Sequence, residues 1–305
     1  MLLRSIKHSM LGLIIIMKKI NASINKIYTP NGVCRCSTQG ITSIFSVMLI
    51  EIVESRELTW RLFLRDFRVK YRQSVLGIMW VFLVPLMTVG MFVIMTRSGV
   101  FSIRDVGIPY PLYAVIGLSI WSIFTVGLTA CTNSLINAGS MIVKINFPKV
   151  SLILAASGQG VVEFLIRFFL ILLMCLYYKI FPNWLNMLCS IIMLLPMLLL
   201  TIGSGFVLAL AAGVFRDVVN VLGVLLAAIM LLTPVLYPLS PHTMLSEVNR
   251  WNPLNYLVNV PRDLLVKGYI DNIIPFVLSS LFSIVVFYIG WRIFYLAQPK
   301  IAERI

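Results

Sequence analysis

Six stretches of roughly twenty apolar residues govern what this chain can become. A helix needs about 20 such residues to cross the hydrocarbon core of a bilayer. The stretches run about 76–96, 111–131, 151–181, 184–212, 218–237 and 273–297. In lipid every backbone polar group must be satisfied internally, so apolar runs of this length predict membrane-spanning helices. The expected fold is an all-α integral membrane protein with six transmembrane helices. An even number of spans places both termini on the same side.

Charge assigns that side. The chain is 60% hydrophobic and 12% charged, with 25 Lys plus Arg against 11 Asp plus Glu. In a soluble protein that excess would point to nucleic acid, but between spans it is a topology signal, and no nucleic-acid partner is expected. Segments on the side of the termini hold Arg56, Arg61, Arg65, Arg68, Lys70, Arg72, Lys144, Lys149, Arg216, Lys300 and Arg304, and the opposite loops hold Arg97, Arg104, Lys179, Arg250, Arg262 and Lys267. Eleven against six favours cytoplasmic termini in a bacterial inner membrane.

Residues 1–50 fall outside this plan. The apolar stretch Leu11 to Met17 is too short to span, and residues 21–42 are polar and rich in turn-formers. Arg4 and Lys7 before the apolar stretch resemble a signal-peptide start, but no small-residue cleavage site follows directly. The favoured reading is a dispensable extension, or a start placed too early with Met48 as initiator. Cys34 and Cys36 without a neighbouring His are weak evidence for zinc, and only His8 and His242 exist to build a histidine centre. No catalytic, metal or cofactor site is expected.

Residues 51–75 carry two interleaved patterns. Trp60, Phe63, Leu64, Phe67 and Tyr71 recur at helical spacing, and Arg61, Arg65, Arg68 and Arg72 follow one residue on. The expectation is an amphipathic interfacial helix whose arginines meet anionic headgroups; the plainer alternative is a soluble helix packing on another domain. The 133–149 loop can hold one short helix ending near Pro148. Near the end of the fifth stretch, Pro234, Pro238 and Pro241 break the helix, and Leu254, Leu257, Val258, Leu264 and Leu265 then recur at helical spacing. Short re-entrant helices in the outer leaflet fit this pattern, and so does a periplasmic loop capping the bundle.

Glu163 and Arg167 sit four residues apart within the third stretch, so one helical turn brings them together. Ionisable residues inside a membrane are functional candidates, but an opposite charge at this spacing favours a mutually neutralised pair. Trp80, Phe82, Phe92, Trp121 and Phe124 fall in the first two stretches. Most membrane aromatics are anchors; any that line a pore offer flat faces on which sugar C–H surfaces can slide.

Three segments together resemble the permease subunits of type-2 ABC exporters of polysaccharide, O-antigen and teichoic acid. They are residues 65–80 with Pro85, Asn146-Phe147-Pro148-Lys149, and the run from Phe215-Arg216-Asp217 through Thr233-Pro234-Val235-Leu236-Tyr237-Pro238 to Trp251-Asn252-Pro253 and Arg262-Asp263-Leu264-Leu265. Thr233 stands where the family usually has Ser, and Pro261 occupies a usually less constrained position. The resemblance implies a homodimer of six-span subunits around a continuous pore, paired with two separately encoded ATPase subunits that bind ATP and Mg. This chain has no G-x-x-x-x-G-K-[ST] loop of its own. By the same resemblance, Asn137, Met141, Lys144, Phe147 and Lys149 are expected to couple to the ATPase, with the basic helix clamping it near the membrane; charge pairing also places that helix to meet the pyrophosphate of a lipid-linked glycan. Pro234, Tyr237, Pro238, Trp251, Asn252 and Pro253 are expected to form the outer gate. The rival expectations are export of a drug or small lipid, and a polyprenyl-lipid membrane enzyme. The enzyme is disfavoured because carboxylates are few and scattered.

Overall fold

The computed structural model describes residues 27–29, 32–34, 50, 52–72, 77–98, 107–144, 147–215, 217–238 and 243–301. Cys36, His8, His242, Met48, Arg216 and Pro241 lie outside these residues, as do the side chains of Cys34, Arg72 and Lys144. Among the described residues the fold is helical, apart from a small antiparallel hairpin of β1 (Ile27–Thr29) and β2 (Gly32–Cys34) that pairs Ile27 with Cys34 and Thr29 with Gly32.

Four helical segments are long and apolar enough to cross a membrane. They are α3 (Tyr110–Asn137), α5 (Val150–Tyr178), the combined α6 (Trp184–Ile192) and α7 (Leu195–Val214), and α11 (Ile273–Ile301). The first and fifth expected spans form shorter apolar helices, α2 (Met79–Arg97, apolar to Met95) and α8 (Asp217–Leu232). The expected six therefore divide into four long and two short.

Each revised boundary has a local cause. α3 runs six residues beyond the expected end because Thr132, Asn133 and Ser134 return their side chains to their own helix, donating to the carbonyls of Leu128, Thr129 and Cys131 at 2.8, 2.9 and 2.7 Å. That bonding lets polar residues continue a helix. The expected fourth span is broken at Met193–Leu194, because Pro196 has no N–H for the Ile192 carbonyl and its ring crowds that position. α8 stops at Leu232 rather than Tyr237, ahead of Pro234. The expected helix in the 133–149 loop is present as α4 (Gly139–Lys144), but Pro148 starts the next helix instead of ending this one. Its carbonyl accepts from Ser151 Oγ at 2.6 Å and Ser151 N at 3.2 Å.

The core sits where α3 packs between α5 and α7, with α7 also packed on α11. Glycines set these crossings. A Cβ on Gly160 of α5 would fall 2.6 Å from the Ile123 carbonyl of α3 and 2.9 Å from Gly127 N, and one on Gly290 of α11 would fall 2.1 Å from the Gly203 carbonyl of α7. Without a hydrophobic drive between helices in lipid, association depends on such close approach. α2 and α11 expose large apolar side chains outward, among them Met87, Ile94, Ile274 and Leu278.

The remaining helices attach to this bundle. α1 (Arg56–Arg72) lies along α5, burying Leu62 and setting the Phe63 ring where a Cβ on Gly158 would come within 2.9 Å. The helix thus packs on the chain's own bundle, and Trp60, assigned to its apolar stripe, stays exposed. α9 (Met244–Arg250) and α10 (Pro253–Lys267) follow α8, and all five apolar positions read from the sequence in α10 are buried against neighbouring helices.

Candidate functional site

The first polar centre grows from α5. Glu163 and Arg167 are buried and joined by a hydrogen-bonded ion pair, as the i, i+4 spacing requires. Arg167 Nη1 also donates to the Leu118 carbonyl of α3 at 3.3 Å. The pair has a third member that the sequence did not reveal. Lys70 Nζ, near the end of α1, reaches the other Glu163 oxygen at 3.0 Å. One carboxylate therefore serves two cations from different helices: Glu163 joins α1 to α5, and Arg167 extends the centre to α3. Nothing in the local spacing joins Lys70 to a residue 93 positions away.

The basic stripe of α1 faces outward. Arg61, Arg65 and Arg68 are exposed and line, with Leu64 and Val69, a surface cavity of about 370 Å³. Arg61 pairs with Glu57 at 2.6 Å and Arg65 with Asp66 at 2.9 Å, while Arg65 Nη1 also lies 3.4 Å from Met141 Sδ on α4. Three arginines beside two aliphatic side chains suit an amphiphile with an anionic head.

The residues expected to couple to an ATPase lie between α3 and α5 with unequal exposure. Asn137 is exposed and Met141 half-buried, while Phe147 and Lys149 are buried. Lys149 Nζ donates to the Gln298 carbonyl at 2.8 Å, tying this loop to the far end of α11, and burial lowers its pKa. The loop is thus held on one side by α1 through Arg65 and on the other by α11.

Among the aromatics, Trp121 and Phe124 are packed inside the protomer core, with ring centroids 5.5 Å apart. Phe82 and Phe92 are half-buried against that core, and Trp80 is exposed. They do not form one lining within a single protomer.

The second polar centre lies at the Tyr110 end, where the Thr233–Tyr237 turn, α9 and α10 form a cap. Its frame is a ladder of asparagines. Asn249, fully buried, donates to the Leu232 carbonyl at 2.7 Å and so satisfies the frayed end of α8. Asn252 donates to Thr233 Oγ1 at 3.0 Å and to Asn249 Oδ1 at 3.2 Å, while its own Oδ1 caps α10 by accepting from Leu254 N at 3.0 Å. Asn255 donates to the Asn249 carbonyl at 3.1 Å, and Asn259 continues to Asn255 Oδ1. Of the expected gate residues, Pro234 is buried, Asn252 belongs to the ladder, Tyr237 donates its hydroxyl to the Leu231 carbonyl, and Pro238 and Pro253 are half-buried. Trp251 is 88% exposed, outside the ladder.

Arg262 ends the ladder. It is 2% exposed, donates to the Val235 carbonyl at 2.9 Å, the Pro234 carbonyl at 3.3 Å and Asn259 Oδ1, and stacks 3.8 Å above the Tyr113 ring of α3. No carboxylate pairs with it among the described residues. Asp263 turns instead to Lys267 at 3.4 Å, and although burial works against the Lys267 ammonium, Asp263 and Asp271 hold its pKa above the ordinary value. A cation held over a ring out of water contributes about 2 kcal/mol. In the sequence Arg262 figures as a loop charge and within the Arg262-Asp263-Leu264-Leu265 segment, neither of which shows its burial. Its burial depends on Gly117, where a Cβ would lie 2.3 Å from the Val235 carbonyl and 3.0 Å from Arg262 Nη1.

Comparison with known proteins adds the relatives. A family model described as ABC-2 type transporter matches residues 57–266, from α1 through α10. The O-antigen export system permease protein RfbA of Myxococcus xanthus is 25% identical over 264 residues, covering 84% of this chain and 98% of that protein. The polysialic acid transport protein KpsM of Escherichia coli is 24% identical over 243 residues, covering 76% of this chain and 90% of that protein.

Proposed function

The chain belongs to the ABC-2 type transporter family, and from that premise we propose that it is the permease subunit of an exporter carrying a polysaccharide or lipid-linked glycan across the bacterial cytoplasmic membrane. The observation that carries this reading is the pair of relatives named for O-antigen export and polysialic acid transport, each aligned over at least 90% of its own length. The working unit is a homodimer of six-span subunits with cytoplasmic termini, α2 and α8 serving as the two shorter spans. Two copies of a separate ATPase bind ATP and Mg and supply the energy.

The α3–α5 loop receives the ATPase. Its ties through Arg65 to α1 and through Lys149 to α11 support the idea that a push there moves both helices together. The basic face of α1 meets the anionic head of the lipid-linked substrate, with Arg61, Arg65 and Arg68 as the charge partners. The cap at the Tyr110 end closes the path on the outer side, with α9 and α10 as short helices at the outer leaflet.

The test is deletion of the gene, with staining of surface polysaccharide and assay of the lipid-linked glycan inside. Loss outside with accumulation inside is the expected result. An unchanged coat would sink the reading in favour of small-molecule export, and loss on both sides would point to an enzyme of glycan synthesis.

A further inference from the structure

The cap is held by two kinds of contact. Within it the bonds are directional and sheltered: the asparagine ladder joins α8 to α9 and α10, and Arg262 closes the ladder onto Pro234, Val235 and Asn259. Buried hydrogen bonds that share partners strengthen one another, so turn and helices form one body. Towards α3 the contact is softer. The guanidinium lies over the Tyr113 ring, and Gly117 presents bare backbone to the Val235 carbonyl. A ring face attracts a cation without fixing its direction. Towards α6, Ser190 Oγ donates to the Pro261 carbonyl at 2.7 Å.

We propose that Arg262 is the positioning residue that holds this cap closed on α3, and that the Tyr113 ring face is the seam at which the cap parts for the passing glycan. The proposal deepens, and rests on, the reading of the cap as the outer closure of an exporter. Its physical basis is what separation leaves behind. Arg262 belongs to the cap and keeps its bonds to the Pro234 and Val235 carbonyls when the cap moves away from α3. Neither carbonyl that Arg262 serves is stranded, so opening towards α3 escapes the largest penalty that parting a polar core normally carries. What is lost is the contact of the guanidinium with Tyr113 and the close approach of Gly117 to the Val235 carbonyl. A planar guanidinium can serve two carbonyls and an amide oxygen while offering a flat cationic face, whereas an ammonium lacks that face. Nε of Arg262 is buried without a partner among the described residues, so the side chain is not placed to maximise its own bonding.

The experiment measures efflux of a small anionic dye from proteoliposomes holding the full-length chain, with no glycan present. Tyr113→Leu removes the ring face and should raise efflux on the order of tenfold, the shift expected when a desolvated cation–ring contact leaves a two-state closure. Tyr113→Phe keeps the face and loses only the hydroxyl, so it should raise efflux far less than Tyr113→Leu. Arg262→Met removes the same contact together with the bonds inside the cap, so it should raise efflux at least as much as Tyr113→Leu, and adding Tyr113→Leu to it should raise efflux no further. A purely structural role would make Leu and Phe differ in yield or melting temperature but not in leak. Wild-type efflux in a well-folded Tyr113→Leu protein overturns the proposal, as does a Tyr113→Phe protein that leaks equally. If Arg262→Met does not accumulate, the two Tyr113 variants decide alone. Failure of the glycan reading would show separately, as an unchanged surface coat after gene deletion.

Discussion

The two polar centres solve the same problem in opposite ways. At Glu163 a buried charge is balanced by charges: one carboxylate between Arg167 of its own helix and Lys70 of another. At Arg262 a buried charge is balanced by backbone carbonyls, an amide and an aromatic ring, with no ion-paired acid among the described residues. The first arrangement ties three helices and stiffens their junction, because removing the shared carboxylate leaves two uncompensated cations. The second ties a cap into one body and leaves its outer contact soft.

The comparison is broken most forcefully at Glu163. Glu163→Gln leaves two cations near one another in a largely buried site and should destabilise the protein by about 3–5 kcal/mol, read as a lower melting temperature in detergent. Replacing Glu163, Arg167 and Lys70 together with apolar residues should recover much of that loss. If the single variant melts like the wild type, the charges are not mutually dependent. Next in size is Gly117→Ala, whose new methyl meets the Val235 carbonyl. It should cost about 1–3 kcal/mol and displace the Arg262 centre while leaving that at Glu163 intact, which crosslinking of cysteine pairs at each centre would separate.

Asn249→Leu should cost about 1–3 kcal/mol by leaving the Leu232 and Leu245 carbonyls without their side-chain donor, and hydrogen exchange should then quicken at the end of α8. The smallest effect belongs to Asp263→Asn. Its partner Lys267 lies toward solvent, so the change should cost under about 1 kcal/mol and leave Arg262 in place. A large loss there would mean that Asp263 balances Arg262 after all, and the contrast between the two centres would fall.

The residues that were legible differ from those that were not by how far their partners lie along the chain. Glu163 and Arg167 were found because helix geometry alone joins positions four apart. Lys70 was visible as a topology charge and as one position of the 65–80 segment, but not as a partner of Glu163, which stands on another helix. The apolar positions of α10 were read correctly from their spacing, but spacing does not say that they face the protein's own helices. Pro196 was overlooked inside an apolar run, although the same steric rule that marked Pro234 applied to it. Trp121 and Phe124 share a type with the exposed Trp80, and only packing separates core from surface.

By itself the sequence determined the solvent in which the chain lives, the approximate place of each long helix, the amphipathic character of α1 and α10, and the turn at Thr233–Tyr237. These follow from hydrophobic transfer and backbone sterics, which act over a turn or two of chain. The tertiary structure alone decided which glycines sit where two backbones meet, which cation shares Glu163, and that Arg262 is buried over Tyr113. Those depend on groups brought together from distant positions, and the energy of such a contact exists only once the helices have closed on one another.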